Sequence, residues 1–304
     1  MSNSKGGALI VALLAVALVT SSATWLLRSH SLWLAQAETM LTLGQGKQLL
    51  LTGLDWALVI LAEDARHSSI DHPAEIWAKP LPPSKVEGWD ISGGIEDAQN
   101  LFNLNNLLRN GQVSPADVEI FTNLLRQLDC PVSLAQALTD WLDSDAEANS
   151  PQGAEDSVYL ALRPPYRTAN RPLSDLGDLA KVRGFNQQLI GRLRPFVTVL
   201  PHPTPVNLNT APAALLAILV PGLTLGESQR LVIQRASSPF MSMADAKSRL
   251  PRSELALPVG LFSLNSVYFR IFGHASIDNK RIGLEALISR ERPTKPVVVW
   301  KREI

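Results

Sequence analysis

Cysteine is nearly missing: Cys130 stands alone in a chain of 304 residues, so no disulfide can close within it. A single thiol of this kind reads as a small buried hydrophobe rather than a reactive group. Net charge is missing too. Lys plus Arg and Asp plus Glu each number 28, which leaves no overall field for holding a polyanion. Histidine is sparse and scattered, at His30, His67, His72, His202 and His274, with no ligand pair at i and i+4. No nucleophile motif surrounds a serine or Cys130, so catalysis has no support. His67 and His72 with Asp71 fall in a loop and read as surface residues. Two local absences say most. No Asp, Glu, Lys or Arg lies between Ala8 and Leu27, and no proline lies between Ser29 and Ala65.

What fills the first gap is an apolar run. As a helix at about 1.5 Å per residue it reaches about 30 Å, the thickness of a bilayer core. Only Lys5 and the amino terminus precede it, and Arg28 closes it, which puts the short end in the cytoplasm and the bulk of the chain outside. Three readings compete. A secretory signal can be cut at Ser21-Ser22-Ala23, and a plain anchor is the bland alternative. Lys5-Gly6-Gly7 running straight into Ala8, Leu9, Ile10, Val11, Ala12, Leu13 and Leu14 looks like a prepilin-type signal. Its cut falls after Gly6 or Gly7, and the helix is kept. The fifth mature residue is then Val11 or Ala12, where major pilins and pseudopilins carry Glu.

Beyond Arg28 apolar residues recur at helical spacing: Leu34, Ala37, Leu41, then Leu50, Leu54, Ala57, Leu58 and Leu61. We read one long helix, with a break near Gly44-Gln45-Gly46 as the alternative. Pro73 to Pro83 looks like a linker anchored by Trp77, and Val86 to Ile95 like a strand turning at Gly93-Gly94. Phe102-Asn103-Leu104-Asn105-Asn106-Leu107 suggests a strand-to-helix corner, since Asn favours caps and turns. Helices are expected from Pro115 to Leu128, from a Ser133 cap to Leu142, and from a Ser174 cap to Lys181. Others should cover Asn186 to Leu193, a Thr210 or Asn209 cap to Pro221-Gly222, Gly226 to Ala236, and Met243 to Leu250. Strands are expected at Val267–Phe272, Ile282–Ser289 and Val297–Lys301.

Ile95-Glu96-Asp97 with the Phe102–Leu107 string, behind a prepilin-type start lacking the acidic fifth residue, resembles the general secretion pathway protein K family. Those are minor pseudopilins of the type II secretion system. The resemblance continues through Asp140-Trp141-Leu142-Asp143-Ser144-Asp145, Gly153-Ala154-Glu155-Asp156, Val206-Asn207-Leu208-Asn209-Thr210-Ala211-Pro212 and Ser266-Val267-Tyr268-Phe269-Arg270. It implies an α+β pseudopilin fold: an N-terminal transmembrane and assembly helix on a small antiparallel sheet, with a large, mostly α-helical inserted domain. The expected parts are a leader at 1–7, a membrane helix at 8–27, its continuation at 28–66 and the first sheet strands at 67–104. The insertion then covers 105–262, as two helix-hairpin-helix-like units at about 105–200 and 205–262, before closing strands at 263–304.

The resemblance also implies partners: minor pseudopilins I and J, the major pseudopilin, a prepilin peptidase that cuts and methylates at Gly6, Gly7 or Ala8, and inner-membrane lipid. Asp143, Asp145, Glu147, Glu155 and Asp156 form the densest acidic cluster, able to supply oxygens to one hard cation. Calcium is the candidate outside the cytoplasm, and some relatives bind it in this insertion; the alternative is a solvated acidic loop. Asn207 through Arg235 also resembles helix-hairpin-helix DNA-binding modules, with Val182-Arg183-Gly184-Phe185 as a weaker second copy. A membrane-anchored DNA-uptake protein is thus the runner-up. Its cations are few (Arg230, Arg235, Lys247, Arg249), so no nucleic acid is expected.

Overall fold

The computed structural model describes residues 4–145, 147, 148 and 153–304, with the side chains of residues 4–6 outside that description. In chain order the elements are α1 (Ser4–His67), β1 (Leu81–Val86), β2 (Trp89–Asp97), β3 (Phe102–Asn103), β4 (Leu108–Arg109) and β5 (Gln112–Val113). Helices α2 (Pro115–Gln127), α3 (Ser133–Leu142), α4 (Asp156–Tyr159) and α5 (Gln187–Leu193) follow, then β6 (Val197–Thr198) and β7 (Val206–Asn207). The chain closes with α6 (Ala213–Leu219), α7 (Leu225–Ser237), α8 (Met243–Ser248), β8 (Phe262–Ser263), β9 (Tyr268–Ile277), β10 (Lys280–Ser289) and β11 (Val297–Glu303).

The helix α1 is unbroken, because no proline interrupts it and two of its glycines, Gly44 and Gly53, face open space. Gly46 is different. A Cβ there would sit 2.6 Å from the Trp89 ring, so the helix meets the sheet at the one residue that lets it come that close. From this point Leu50, Leu54, Ala57 and Leu61 form a single buried stripe against β9 and β10, the narrow apolar face of a half-covered helix.

The sheet is antiparallel throughout, in the order β1-β2-β9-β10-β11. Residues 98–267 leave it after Asp97 and return at Tyr268, which stands next to Asp97's partner Phe269. The inserted segment has its own core, separate from the one under α1.

Three expectations change here. Gly93-Gly94 is no turn: both lie inside β2, Gly93 opposite Gly273, where a Cβ would come 2.5 Å from the Phe272 carbonyl oxygen. The turn falls instead at Glu87-Gly88, whose φ angles of +51° and +86° suit a tight hairpin. The end of the supposed linker is the start of β1, an edge strand that accommodates Pro82 and Pro83 at an irregularity between Leu81 and Ser84. Several caps also differ. Ser133 lies inside α3, Asp175 rather than Ser174 caps the 3-10 turn Leu176–Lys181, and Pro212 precedes α6.

Asn209 and Thr210 are spared from capping by a different task. The string apolar-Asn-Leu-Asn occurs twice and folds the same way twice. At each site a two-residue strand pairs in parallel with a later one, β3 with β6 and β7 with β8. The first Asn of each string accepts from the N–H two residues on: Asn105 N–H to Asn103 Oδ1 at 3.1 Å, and Asn209 N–H to Asn207 Oδ1 at 2.9 Å. The second Asn brackets both backbone groups of one distant residue, Leu173 for Asn105 and Phe240 for Asn209. Asn106 does likewise at Thr204. A carboxamide offers one donor and one acceptor side by side, so it substitutes for a neighbouring strand where none is long enough.

Candidate functional site

Ahead of Gly46 most of α1 is exposed, although the Lys280 ammonium donates to the Thr42 hydroxyl at 3.3 Å. Leu9, Ile10, Val11, Leu13 and Leu14 are each about three-fifths exposed or more, Gly7, Ala8 and Ala12 are exposed, and so are Trp25, Trp33, Met40 and Leu41 further along. Gly6 lies in the helix; Met1 to Asn3 of the expected leader lie outside the described residues. The helix is long and apolar enough to cross a membrane once. Each of its large side chains would gain about 1.5–3 kcal/mol on burial, so this stretch demands lipid or neighbouring helices.

The other end of α1 is fastened by a buried polar network. The Arg290 guanidinium donates to Asp64 at 2.8 Å and Asp71 at 2.5 Å, and lies 4.4 Å over the Phe269 ring. Asp71 also accepts from the Ser266 N–H at 2.6 Å. One oxygen of Asp97 accepts from Asn207 (3.0 Å), the Ser266 hydroxyl (2.8 Å) and the Thr210 hydroxyl (2.5 Å); the other takes the Gln99 N–H. The network thus joins the end of α1, the loop after it, both ends of the insertion and its second unit. Burial pushes the Asp64 carboxyl up to about 6, helped by Glu75 and opposed by Arg290. Burial outweighs Arg290 at Asp71 and raises it too, and lifts Asp97 to about 6 against its hydrogen bonds. Asp71 is therefore no surface residue, and His72 is only partly exposed; His67 alone of that group is on the surface. Asp64, Asp71 and Glu75 lie close enough for a metal, but Arg290, the Ser266 and His72 N–H groups and the Trp77 indole already serve them.

The acidic loop is placed by α3, whose last turn carries Trp141 edge-on to Tyr159 and Tyr166. Buried Asp140 accepts the Ala154 N–H at 2.8 Å and draws the far side of the loop inward. Carboxylate oxygens of Asp143, Asp145 and Glu155 thereby lie within 4.8 Å of one another, with Asp143 and Glu155 buried and Asp145 exposed. Glu155 is about 5% exposed, yet its Oε1 has no hydrogen-bond partner among the described residues. Burial, then the charges of Asp140, Asp143 and Asp145, push its carboxyl up to about 7. Converging hard oxygens, one of them buried and unsatisfied, fit a divalent cation.

Two of the five expected ligands do not join. Asp156 turns away to accept from the Thr168 N–H and hydroxyl and to pair with Arg167, and the Thr168 hydroxyl chiefly holds its carboxyl low. Glu147 is exposed and contributes its N–H to Asp145; residues 146 and 149–152 lie outside the described residues.

The hairpin at Pro221-Gly222 has its phosphate-like position filled. Gly222 has φ of +81°, but the Glu227 carboxylate accepts the Thr224 N–H and hydroxyl at the start of α7. Arg252 bonds Glu227 and the Gly222 carbonyl. Arg235 is buried on the Leu208 and Ala211 carbonyls, and Arg249 pairs with Asp245. Of the four cations weighed for the DNA reading, Arg235 and Arg249 are thus engaged within the fold, while Arg230 and Lys247 are exposed.

Replacing Arg290 by Met should cost about 3–5 kcal/mol, because two buried carboxylates lose their cation. Both have raised pKa values, so they protonate as pH falls, and the neutral forms carry no buried charge. Denaturant unfolding should therefore show a larger deficit at pH 8 than at pH 5.

Two family models described as type II secretion system protein K match residues 100–202 and 206–264, the two halves of the insertion. Type II secretion system protein K of Pseudomonas aeruginosa is 32% identical over 96% of this chain and 90% of its own length. That of Klebsiella pneumoniae is 33% identical over 97% and 95%. A chain in the crystal structure of the GspK-GspI-GspJ complex from enterotoxigenic Escherichia coli shares the fold, with a TM-score of 0.72 over 88% of this chain and 99% of that one at 22% identity. The chain belongs to the type II secretion system protein K family.

Proposed function

We propose that this chain is a minor pseudopilin of the inner membrane that joins the I and J minor pseudopilins at the pseudopilus tip, and there starts and caps the assembly for export of folded proteins. The carrying observation is the split along α1: an apolar stretch left exposed among the described residues, continuous in one helix with a stretch sealed against the sheet. Such a helix is built to be covered by other helices. The short end would lie in the cytoplasm and the folded part in the periplasm. A prepilin peptidase would cut after Gly6 or Gly7 and methylate the new amine, and the major pseudopilin would follow below. Its role is mechanical rather than catalytic.

Two features favour the tip. Neither Val11 nor Ala12 offers the carboxylate that would meet the amine of a subunit ahead, an expensive group kept in a membrane only when it has such a partner. The insertion, much larger than the sheet that carries it, would block addition above. Assembly of the E. coli GspK chain with GspI and GspJ supports the choice of partners. Expressed with its system, the chain should shorten by its leader and co-purify with I and J. Changing Gly6 and Gly7 together to Trp should abolish the shortening. An unshortened parent, or consistent absence of both partners, contradicts the reading.

We further propose that Asp143, Asp145 and Glu155 hold calcium, which would neutralise the loop's crowded carboxylates. Because Glu155 must lose its proton to bind, affinity should weaken as pH falls below about 7. Calcium should raise the melting temperature of the parent at pH 8. It should do so much less in Asp143→Ala/Asp145→Ala or Glu155→Gln; equal shifts in all three would remove the site.

A further inference from the structure

The five-stranded sheet ends in two edges, of which only β1 carries proline. At β1, Pro82 and Pro83 and the irregularity beside them spoil the ladder, a usual defence against unwanted pairing. At β11 the register also shifts by one residue, opposite Leu287 and Ile288, but Trp300 to Glu303 beyond it pair regularly with β10. Val297, Val298 and Val299 are 49%, 38% and 41% exposed, and no proline lies within the strand. Ile304 and Gly283 exchange both backbone hydrogen bonds, which sets the alternation: Glu303 and Lys301, one and three residues earlier, turn their N–H groups away from β10. Among the described residues nothing outside β10 bonds the backbone of Val297–Glu303.

Charge indicates what would lie there. Lys301 on this strand, and Arg292 and Lys295 in the turn that leads into it, are exposed and enter no ion pair with a described residue. Two of the acids nearby are paired with cations, Glu303 with Lys47 and Glu285 with Arg302, while Glu291 accepts from the Tyr268 hydroxyl. We propose that the outer edge of β11 is a strand-addition site for an extended, carboxylate-bearing segment of a partner chain. Main-chain hydrogen bonds would supply the affinity, the valines an apolar lining, and the three cations the preference for acidic side chains. This site is separate from the helix-mediated assembly proposed above and does not depend on it.

The test uses the full chain in nanodiscs and a fluorescent peptide of about eight residues, alternating Val and Glu, the span of a strand of this length. Anisotropy should report binding of this peptide, and little binding of its Val/Lys counterpart or of a copy N-methylated at alternate amides. Lys301→Glu should weaken binding about tenfold, as expected of a charge reversal at an interface. Lys301→Pro should weaken it by removing an outward donor, with β10 pairing left intact in the circular dichroism melt. No binding of the acidic peptide, equal binding of the N-methylated copy, or an unchanged affinity in Lys301→Glu would each overturn the proposal; the last holds even if the proline variant misfolds.

Discussion

One guanidinium holds the molecule together where its parts meet. Arg290, at the end of β10, faces Asp64 in the last turns of α1 and Asp71 in the loop beyond, with Phe269 beneath it. Burying these charges is costly, so the arrangement is not an economical source of stability. What it supplies is registration, because a shared cation between two carboxylates permits few geometries. The adjoining Asp97 group extends that constraint to Asn207 and Thr210 in the second half of the insertion. Helix, sheet and insertion are thereby fixed to one another at a single buried junction.

The insertion solves a related problem with neutral groups. Its strands are two residues long, too short to organise a ladder. Carboxamides of Asn103, Asn105, Asn106, Asn207 and Asn209 take over, each bonded to backbone groups distant in sequence or two residues on. Loss of any one leaves buried backbone groups unsatisfied, costing about 1–3 kcal/mol for each group. The outcome is a helical mass tied closely to its sheet.

Local pattern made the apolar helix, the C-terminal strands, most helices and the Asn corner legible in the sequence, since each follows from spacing within a few residues. Asp143, Asp145 and Glu155 were legible as a cluster because acid crowding is visible in one dimension. Asp156 was miscounted with them, since only the fold shows Thr168 and Arg167 claiming it. Asp71 and Arg290 left no signal: they lie 219 positions apart and meet only through the sheet. Gly93-Gly94 misled for a related reason. Glycine marks close backbone approach as well as turns, and which one applies depends on strand β9, far along the chain. The proline-bearing β1 was hidden by its edge position.

Division of labour along α1 is the centre of the account. The face bearing Leu50, Leu54 and Leu61 belongs to its own sheet, while Leu34, Met40 and Leu41 are exposed. Cysteine-scanning cross-linking in membranes of cells expressing the complete secretion system tests this most directly. Single cysteines at Leu34 and Leu41, paired with cysteines on the helices of the other pseudopilins, should give specific cross-links, and those at Leu54 and Leu61 none. Cross-links at Leu54 and Leu61 as strong as those at Leu34 and Leu41, or none at the latter pair, would contradict it.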